Sequence, residues 1–175
     1  MSMRPARIYR DKPGQPYTRM SQKSENDNFI SGAPAPKISI FENGDKTREF
    51  EDEMRIVLRV EDDVAIRGNA LEAARVAANS HLRKEAGEEQ YHLKVKVYPH
   101  HVLRYHPLAG VAQADRYYEG MRKPFGRPTG RAALVDADQD IIYVRVKATD
   151  REIGKKAMHR AGQKIPNKFR VSVED

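Results

Sequence analysis

The sequence predicts an α+β fold: a mixed or antiparallel sheet with two main helices packed on it, an extended N-terminal arm and a long basic loop. Three observations predict it. Short runs with strand alternation recur along the chain, with helix-period segments set among them. The two kinds interleave without the regular strand–helix–strand rhythm of a parallel sheet. Half of the ten prolines fall within residues 1–36, outside any apolar period, so that stretch reads as an arm and 37–175 as one domain.

The arm reads as extended and irregular, ordering on a partner rather than folding alone. Its polar run 21–28 is expected to be a surface loop. Lys37 to Phe41 alternates as a short strand, and Glu42 to Asp45 reads as a turn. Met54 to Val60 is a second strand with Ile56, Leu58 and Val60 on one side. Asn69 and Glu72 resemble a capping pair for a helix that runs to about Ala86 and is closed by Gly87. Its inward stripe is Leu71, Ala74, Ala78 and Leu82.

Tyr91 to Tyr98 is the cleanest strand, with Leu93, Val95 and Val97 facing the core and His92, Lys94, Lys96 and Tyr98 opposite. A further strand is expected over His101 to Tyr105. Residues 106–130 then read as a long loop with one short helix near 115–121. A loop of that length inside a compact domain is normally functional or disordered. Arg131 to Ala137 and Asp140 to Ala148 are expected to pair as a hairpin about Asp138 and Gln139. Thr149 with Glu152 gives a capping box for a helix to about Ala161, with Ile153, Ala157 and Ala161 inward. Phe169, Val171 and Val173 finish as a strand.

Composition narrows the function. Leu, Ile, Val and Phe supply 35 of the 175 residues, a lean core. The absence of cysteine removes disulfides, thiolate metal sites and cysteine nucleophiles together. No run approaches the roughly 18 apolar residues that span a bilayer, and the basic N-terminus lacks the apolar core of a secretory signal. A soluble intracellular protein is expected. With a net charge of +7 and a pI near 9.6, the expected partner is a polyanion, nucleic acid before an anionic membrane.

That charge is segregated. Residues 1–48 carry +4, residues 49–90 carry −5, residues 91–131 carry +6 and the remainder +2. The basic tail, with Arg4, Arg7, Arg10, Lys12 and Arg19, and the 91–131 stretch read as one binding surface. In that stretch Lys94 and Lys96 can neutralise phosphates from one strand face. Arg104, Arg116, Arg122, Arg127 and Arg131 add forked donors suited to phosphate and guanine edges. Tyr98, Tyr105, Tyr117, Tyr118 and Phe125 can stack on unpaired bases. Gly120, Gly126 and Gly130 let the backbone approach a phosphate closely.

A second constellation, His100, His101, His106 and Asp115, could hold a metal or do acid–base work. No carboxylate stands at an established ligand spacing, so these histidines read better as phosphate or base contacts. Gly126-Arg-Pro-Thr-Gly130 lacks the Gly-Lys-Ser/Thr ending of a nucleotide-binding loop. No catalytic residue, metal or cofactor is assigned.

Ordered blocks along nearly the whole chain then carry a resemblance. They are Arg4-Pro-Ala-Arg-Ile-Tyr-Arg10, Gly32-Ala-Pro-Ala-Pro-Lys37, Leu71-Glu-Ala-Ala-Arg75 with Ala78-Asn79, His92-Leu-Lys-Val-Lys-Val97 and Pro99-His-His-Val-Leu-Arg104. Ala114-Asp-Arg116 and Gly120-Met-Arg-Lys-Pro-Phe-Gly-Arg-Pro-Thr-Gly130 complete them. In these the chain resembles the archaeal and eukaryotic-type large-subunit ribosomal protein family L-ten-e, counterpart of bacterial L-sixteen. Lys123-Pro124, Arg127 and Arg131 depart from the family's usual residues, keeping or raising positive charge.

The resemblance implies a non-enzymatic constituent of the large ribosomal subunit, in the cytoplasm, bound to large-subunit ribosomal RNA beside the aminoacyl-tRNA site. Arg4, Arg7, Arg10, His101, Arg104, Arg116, Met121, Arg122 and Arg127 would contact that RNA, and Lys123 and Thr129 of the last block join the set. The loop over about 105–115, with Tyr105, His106, Gly110, Gln113 and Asp115, would lie toward tRNA near the aminoacyl and peptidyl sites. Neighbouring ribosomal proteins would be further partners, with no membrane involved. Two alternatives stay open: an RNA-processing enzyme using His101 or His106 as general base, and a free RNA chaperone.

Overall fold

The computed structural model describes residues 5–14, 30–47, 52–106 and 125–174 of the chain. A 3-10 turn at Ala6–Ile8 precedes β1 (Glu42–Gly44), β2 (Glu53–Val60), β3 (Val64–Arg67), α1 (Gly68–Glu85), β4 (Tyr91–Val95) and β5 (His101–Tyr105). Then follow β6 (Arg127–Val135), β7 (Asp140–Lys147), a second 3-10 turn (Ala148–Asp150), α2 (Arg151–Gly162) and β8 (Phe169–Glu174). Among the described residues every strand pairing is antiparallel, and with the two helices this is the α+β class expected. The strands divide into a five-stranded sheet, β1-β4-β7-β2-β8, and a three-stranded sheet, β3-β6-β5.

Alternation decides which face of the large sheet is dry. Ile56, Leu58 and Val60 on β2, Ile142, Val144 and Val146 on β7 and Leu93 and Val95 on β4 all enter one core cluster. The α1 stripe Leu71, Ala74, Ala78 and Leu82 is fully buried as expected, and so are Ala157 and Ala161 of α2. An added Cβ at Gly154 would lie 2.5 Å from Ile56 Cδ1, so α2 rides directly over β2 and β7. Val64, Ile66, Ala133 and Val135 of the small sheet join the same cluster, which makes the two sheets one body. Each buried Leu, Ile or Val contributes about 1.5–3 kcal/mol relative to exposure.

Several elements differ from expectation, each for a local reason. Residues 37–41 alternate but, among the described residues, pair with no strand along their length; Ile38 is buried, and the one ladder bond is from Val95 N to the Phe41 carbonyl, at 2.8 Å. The pairing strand is β1, inside the stretch expected to turn, and Gly44 at φ +86° ends it. β3 has four residues, too short to register as an alternation. β4 stops at Val95. β6 begins at Arg127, four residues before the expected start at Arg131 and inside the expected loop, and ends at Val135.

The tight connection at 136–139 is present, with Gln139 N donating to Asp136 O at 3.2 Å, but it does not close a hairpin. β6 pairs with β3 and β5, whereas both edges of β7 are taken by β2 and β4. Neither helix has a side-chain N-cap. Asn69 and Glu72 lie within α1, where Glu72 binds Arg75, and Glu152 reaches Lys155. Gly87, at φ +92°, does close α1. The expected loop at 21–28 and short helix at 115–121 lie outside the described residues.

Gly44→Ala should be strongly destabilising. The new Cβ would overlap the Tyr91 carbonyl oxygen, a backbone atom that cannot rotate away, at a φ that L residues rarely adopt. A loss of roughly 2–3 kcal/mol in urea unfolding is expected. A wild-type midpoint would contradict this account of β1.

Candidate nucleic-acid interface

The small sheet presents the basic residues of β5 and β6. Their register runs from His101 opposite Ala132 to Tyr105 opposite Arg127, with a shift between Leu103 and Arg104. Such a shift bends a strand and re-aims its side chains. Here it leaves Thr129 outside the paired positions, its hydroxyl donating to the Leu103 carbonyl at 3.4 Å, and sets Arg104 opposite Pro128. Gly126 has a structural reason: any Cβ would collide with the Tyr105–His106 backbone. Gly130 faces open space, so its backbone is open to close approach.

Residues 5–14 dock against this sheet. The Arg10 carbonyl accepts from Ala65 N of β3 at 2.7 Å, and the Tyr9 hydroxyl donates to the Arg104 carbonyl at 3.3 Å. Lys12 pairs with Asp136 and lies 3.9 Å from Asp63. The basic tail and the basic β5–β6 stretch are thus brought together. Phe125, 81% exposed, stands beside Gly126 at the same end. Nearby in the chain, Tyr98 stacks on Phe41 with centroids 5.5 Å apart and meets His100 at 4.6 Å.

The cations divide by whether a carboxylate already holds them. Lys94 Nζ lies 2.8 Å from Glu42, and Lys96 Nζ lies 2.9 Å from Asp140. Hydrogen bonds from Lys46 and Lys94 hold the Glu42 carboxyl at about 2, and Glu42 in turn raises Lys94. Burial opposes ionisation of Asp140, yet hydrogen bonds from Lys96 and Arg59 outweigh it and keep that carboxyl below its usual range. Among the described residues Arg10 has only Asp11, at 3.9 Å. Arg7, Arg104, Arg127 and Arg131 form no ion pair among the described residues. Of these Arg7, Arg104 and Arg127 are exposed, while Arg131 is half-buried with its Nε unpartnered.

The histidines differ equally. His100 is exposed and His106 half-exposed, but His101 is 6% exposed and packed into the sheet. His92, expected on the outer face, is also buried; its Nδ1 accepts from Arg145 Nε at 3.1 Å. Among the described residues no three potential metal ligands converge. Arg4, Arg19, Gly110, Gln113, Asp115, Arg116, Met121, Arg122 and Lys123 lie outside the described residues. Sequence reasoning missed Tyr9, the anchor of the arm, and Asp140, which neutralises Lys96 from 44 positions away. No local pattern marks either.

Comparison with known proteins is consistent across the chain. Residues 14–172 match the profile of the family described as "Ribosomal protein L16p/L10e". The chain is 41% identical over 174 residues to large ribosomal subunit protein uL16 of Archaeoglobus fulgidus, covering 99% of this chain and 94% of that one. It is 42% identical over 171 residues to uL16 of Staphylothermus marinus (98% and 93% covered). It is also 42% identical over 173 residues to uL16 of Picrophilus torridus (99% and 93% covered).

Burial lowers the affinity of His81, His92 and His101 for a proton, with nearby cations adding to it at His81 and His92. Below about pH 6.5 the unfolded chain therefore takes up protons that the folded chain refuses, so stability falls as pH falls. Glu42 acts in a separate window: its contribution is present above its unfolded value of 4.5 and is lost as pH falls toward 2. The thermal midpoint should drop between about pH 7.5 and 5.5, and His92→Gln with His101→Gln should flatten that drop. A wild-type midpoint flat over that range would refute the assignment.

Proposed function

This chain belongs to the ribosomal protein L16p/L10e family, a constituent of the large ribosomal subunit, and we propose that it is seated there on large-subunit ribosomal RNA. The contact is made by the arm and by the β5–β6 end of the small sheet. In this reading 1–36 is the basic arm and 37–175 the RNA-binding domain. The loop over about 105–115 reaches toward tRNA near the aminoacyl and peptidyl sites and supports its placement. Neighbouring ribosomal proteins complete its surroundings, in the cytoplasm, and no reaction is catalysed by the chain itself.

One observation carries the reading: Arg104 and Arg127 are exposed and without carboxylate partners at the end of the sheet where Phe125 is also exposed. Arg7, equally exposed and unpaired, lies on the arm that Tyr9 ties to the Arg104 carbonyl. Unpaired guanidinium groups displace counterions from phosphates without first surrendering an internal partner. A planar aromatic beside them offers a stacking surface for an unpaired base. Lys94 and Lys96, on and just after β4 of the large sheet, would each have to leave Glu42 or Asp140 to engage a phosphate.

Sedimentation of the native protein through a high-salt sucrose gradient tests the placement. It should travel with the large subunit; recovery only at the top of the gradient would overturn the proposal. For the face itself, Arg104→Gln with Arg127→Gln should weaken binding to ribosomal RNA. The dependence of log K on log salt should flatten by up to about 0.9 for each phosphate no longer neutralised. Lys94→Gln with Lys96→Gln should flatten it less, because their charges are already compensated. The reverse order would move the interface to the large sheet.

A further inference from the structure

The second helix carries positive charge that nothing in the fold uses. Arg151, Lys156 and Arg160 are exposed on α2, Lys155 is half-buried, and Lys164 and Lys168 are exposed on the segment leading to β8. Against these six cations residues 151–168 hold one carboxylate, Glu152, which pairs with Lys155 at 3.2 Å. Among the described residues the other five form no ion pair. The opposite side of α2 is the dry one, formed by Gly154, Ala157, Met158, Ala161 and Gly162.

The end of α1 adds to the patch. His81 is buried with its Nε2 unpartnered, and the charges acting on it are Arg160, Lys156 and Lys84 against Glu85 alone. Such crowding destabilises an isolated fold. The helix dipole does not account for it. Arg160 sits favourably in the last turn, but Lys156 is mid-helix and Arg151 opens the helix at its positive end. On the outer face of the large sheet, by contrast, cations are neutralised: Arg55 and Arg59 share Asp140 and Glu174.

We propose that the exposed face of α2, with Lys84 of α1, is a second RNA-binding surface, so that the protein joins two RNA segments. The proposal rests on the RNA-binding reading above and adds a site to it. The chemistry selects the phosphate backbone of structured RNA over a protein partner. A protein interface brings apolar and aromatic anchors to its centre, whereas the exposed large hydrophobic residues among those described, Ile8, Ile40, Val76, Tyr98 and Phe125, all lie off α2. The patch has no exposed Phe, Tyr or Trp, and its one exposed ring, His159, is already packed edge-on against Phe169 at 5.4 Å, so the patch positions backbone rather than reading bases. A four-residue step such as Lys156 to Arg160 advances about 6 Å along the helix, comparable with the separation of successive phosphates.

The test uses the full chain, a labelled RNA duplex of about 16 base pairs, and salt between about 50 and 200 mM. Lys156→Gln/Arg160→Gln/Lys164→Gln is compared with Arg104→Gln/Arg127→Gln, with both sets together, and with wild type. The α2 variant should weaken binding and flatten the salt dependence by up to about 0.9 per phosphate released from neutralisation, alone and in the Arg104/Arg127 background. Lys156→Arg should keep the wild-type slope, and a thermal midpoint at or above that of wild type shows that the variants fold. An α2 variant with wild-type slope beside a flattened Arg104/Arg127 variant overturns this inference and leaves the first surface standing. Wild-type slopes in both sets overturn the RNA-binding reading itself.

Discussion

β7 is the strand on which the rest is hung. Both its edges are paired, to β2 and β4, and Ile142, Val144 and Val146 are fully buried in the core. It begins immediately after the turn that leaves the small sheet. That turn holds Asp138 at φ +60°, donates Asp138 N to the Val60 carbonyl at 2.9 Å, and accepts Asp136 N on the Gln139 side chain at 3.0 Å. These bonds send the chain from one sheet into the other rather than back along itself. The small sheet is therefore fixed to the large one by its connection as well as by their common core. The basic end of β5 and β6 is placed by a turn on which none of its own residues lies.

The same junction organises charge. Asp140, the first residue of β7, receives Arg55 at 2.9 Å, Arg59 at 2.7 Å and Lys96 at 2.9 Å. The register sets Arg55 opposite Arg145 and Arg59 opposite Arg170, pairs that repel when nothing intervenes. Asp140, Glu174 and Glu53 intervene, and Arg55 also lies over the Tyr143 ring at 4.6 Å. The outer face of the large sheet is thereby a network closed on itself. The β5–β6 end and α2 have no such network, and that contrast separates structural cations from those offered outward.

Legibility followed the range of the interactions. The inward stripes of both helices, the span of β5 and the closing glycine of α1 depend on neighbours within a turn or two, and they could be read directly. The hairpin about Asp138 and Gln139 failed because a tight turn between two strands gives no sign of which sheet each joins. β1 lay one step beyond its alternating run because the ladder begins where Phe41 meets Val95. At the candidate site, residue types pointed to RNA while Lys94 and Arg104 looked equivalent. Glu42 and Asp140, 52 and 44 positions from the lysines they neutralise, make them different. The buried state of His92 and His101 likewise comes from packing across strands.

The pattern of compensation also bears on why so lean a core suffices. The chain carries +7 with 35 Leu, Ile, Val and Phe residues in 175. The free protein keeps like charges together at the arm, at β5–β6 and around His81, where they subtract from stability. A partner that binds the folded chain alone adds stability by mass action, in proportion to the logarithm of its concentration over Kd. Phosphates at those places would convert each local repulsion into attraction. Charge that weakens the isolated fold would then strengthen the assembled one. On the proposed reading, polyanion contact is therefore part of the folding thermodynamics of this chain, and the cations without internal partners are the residues through which the two are coupled.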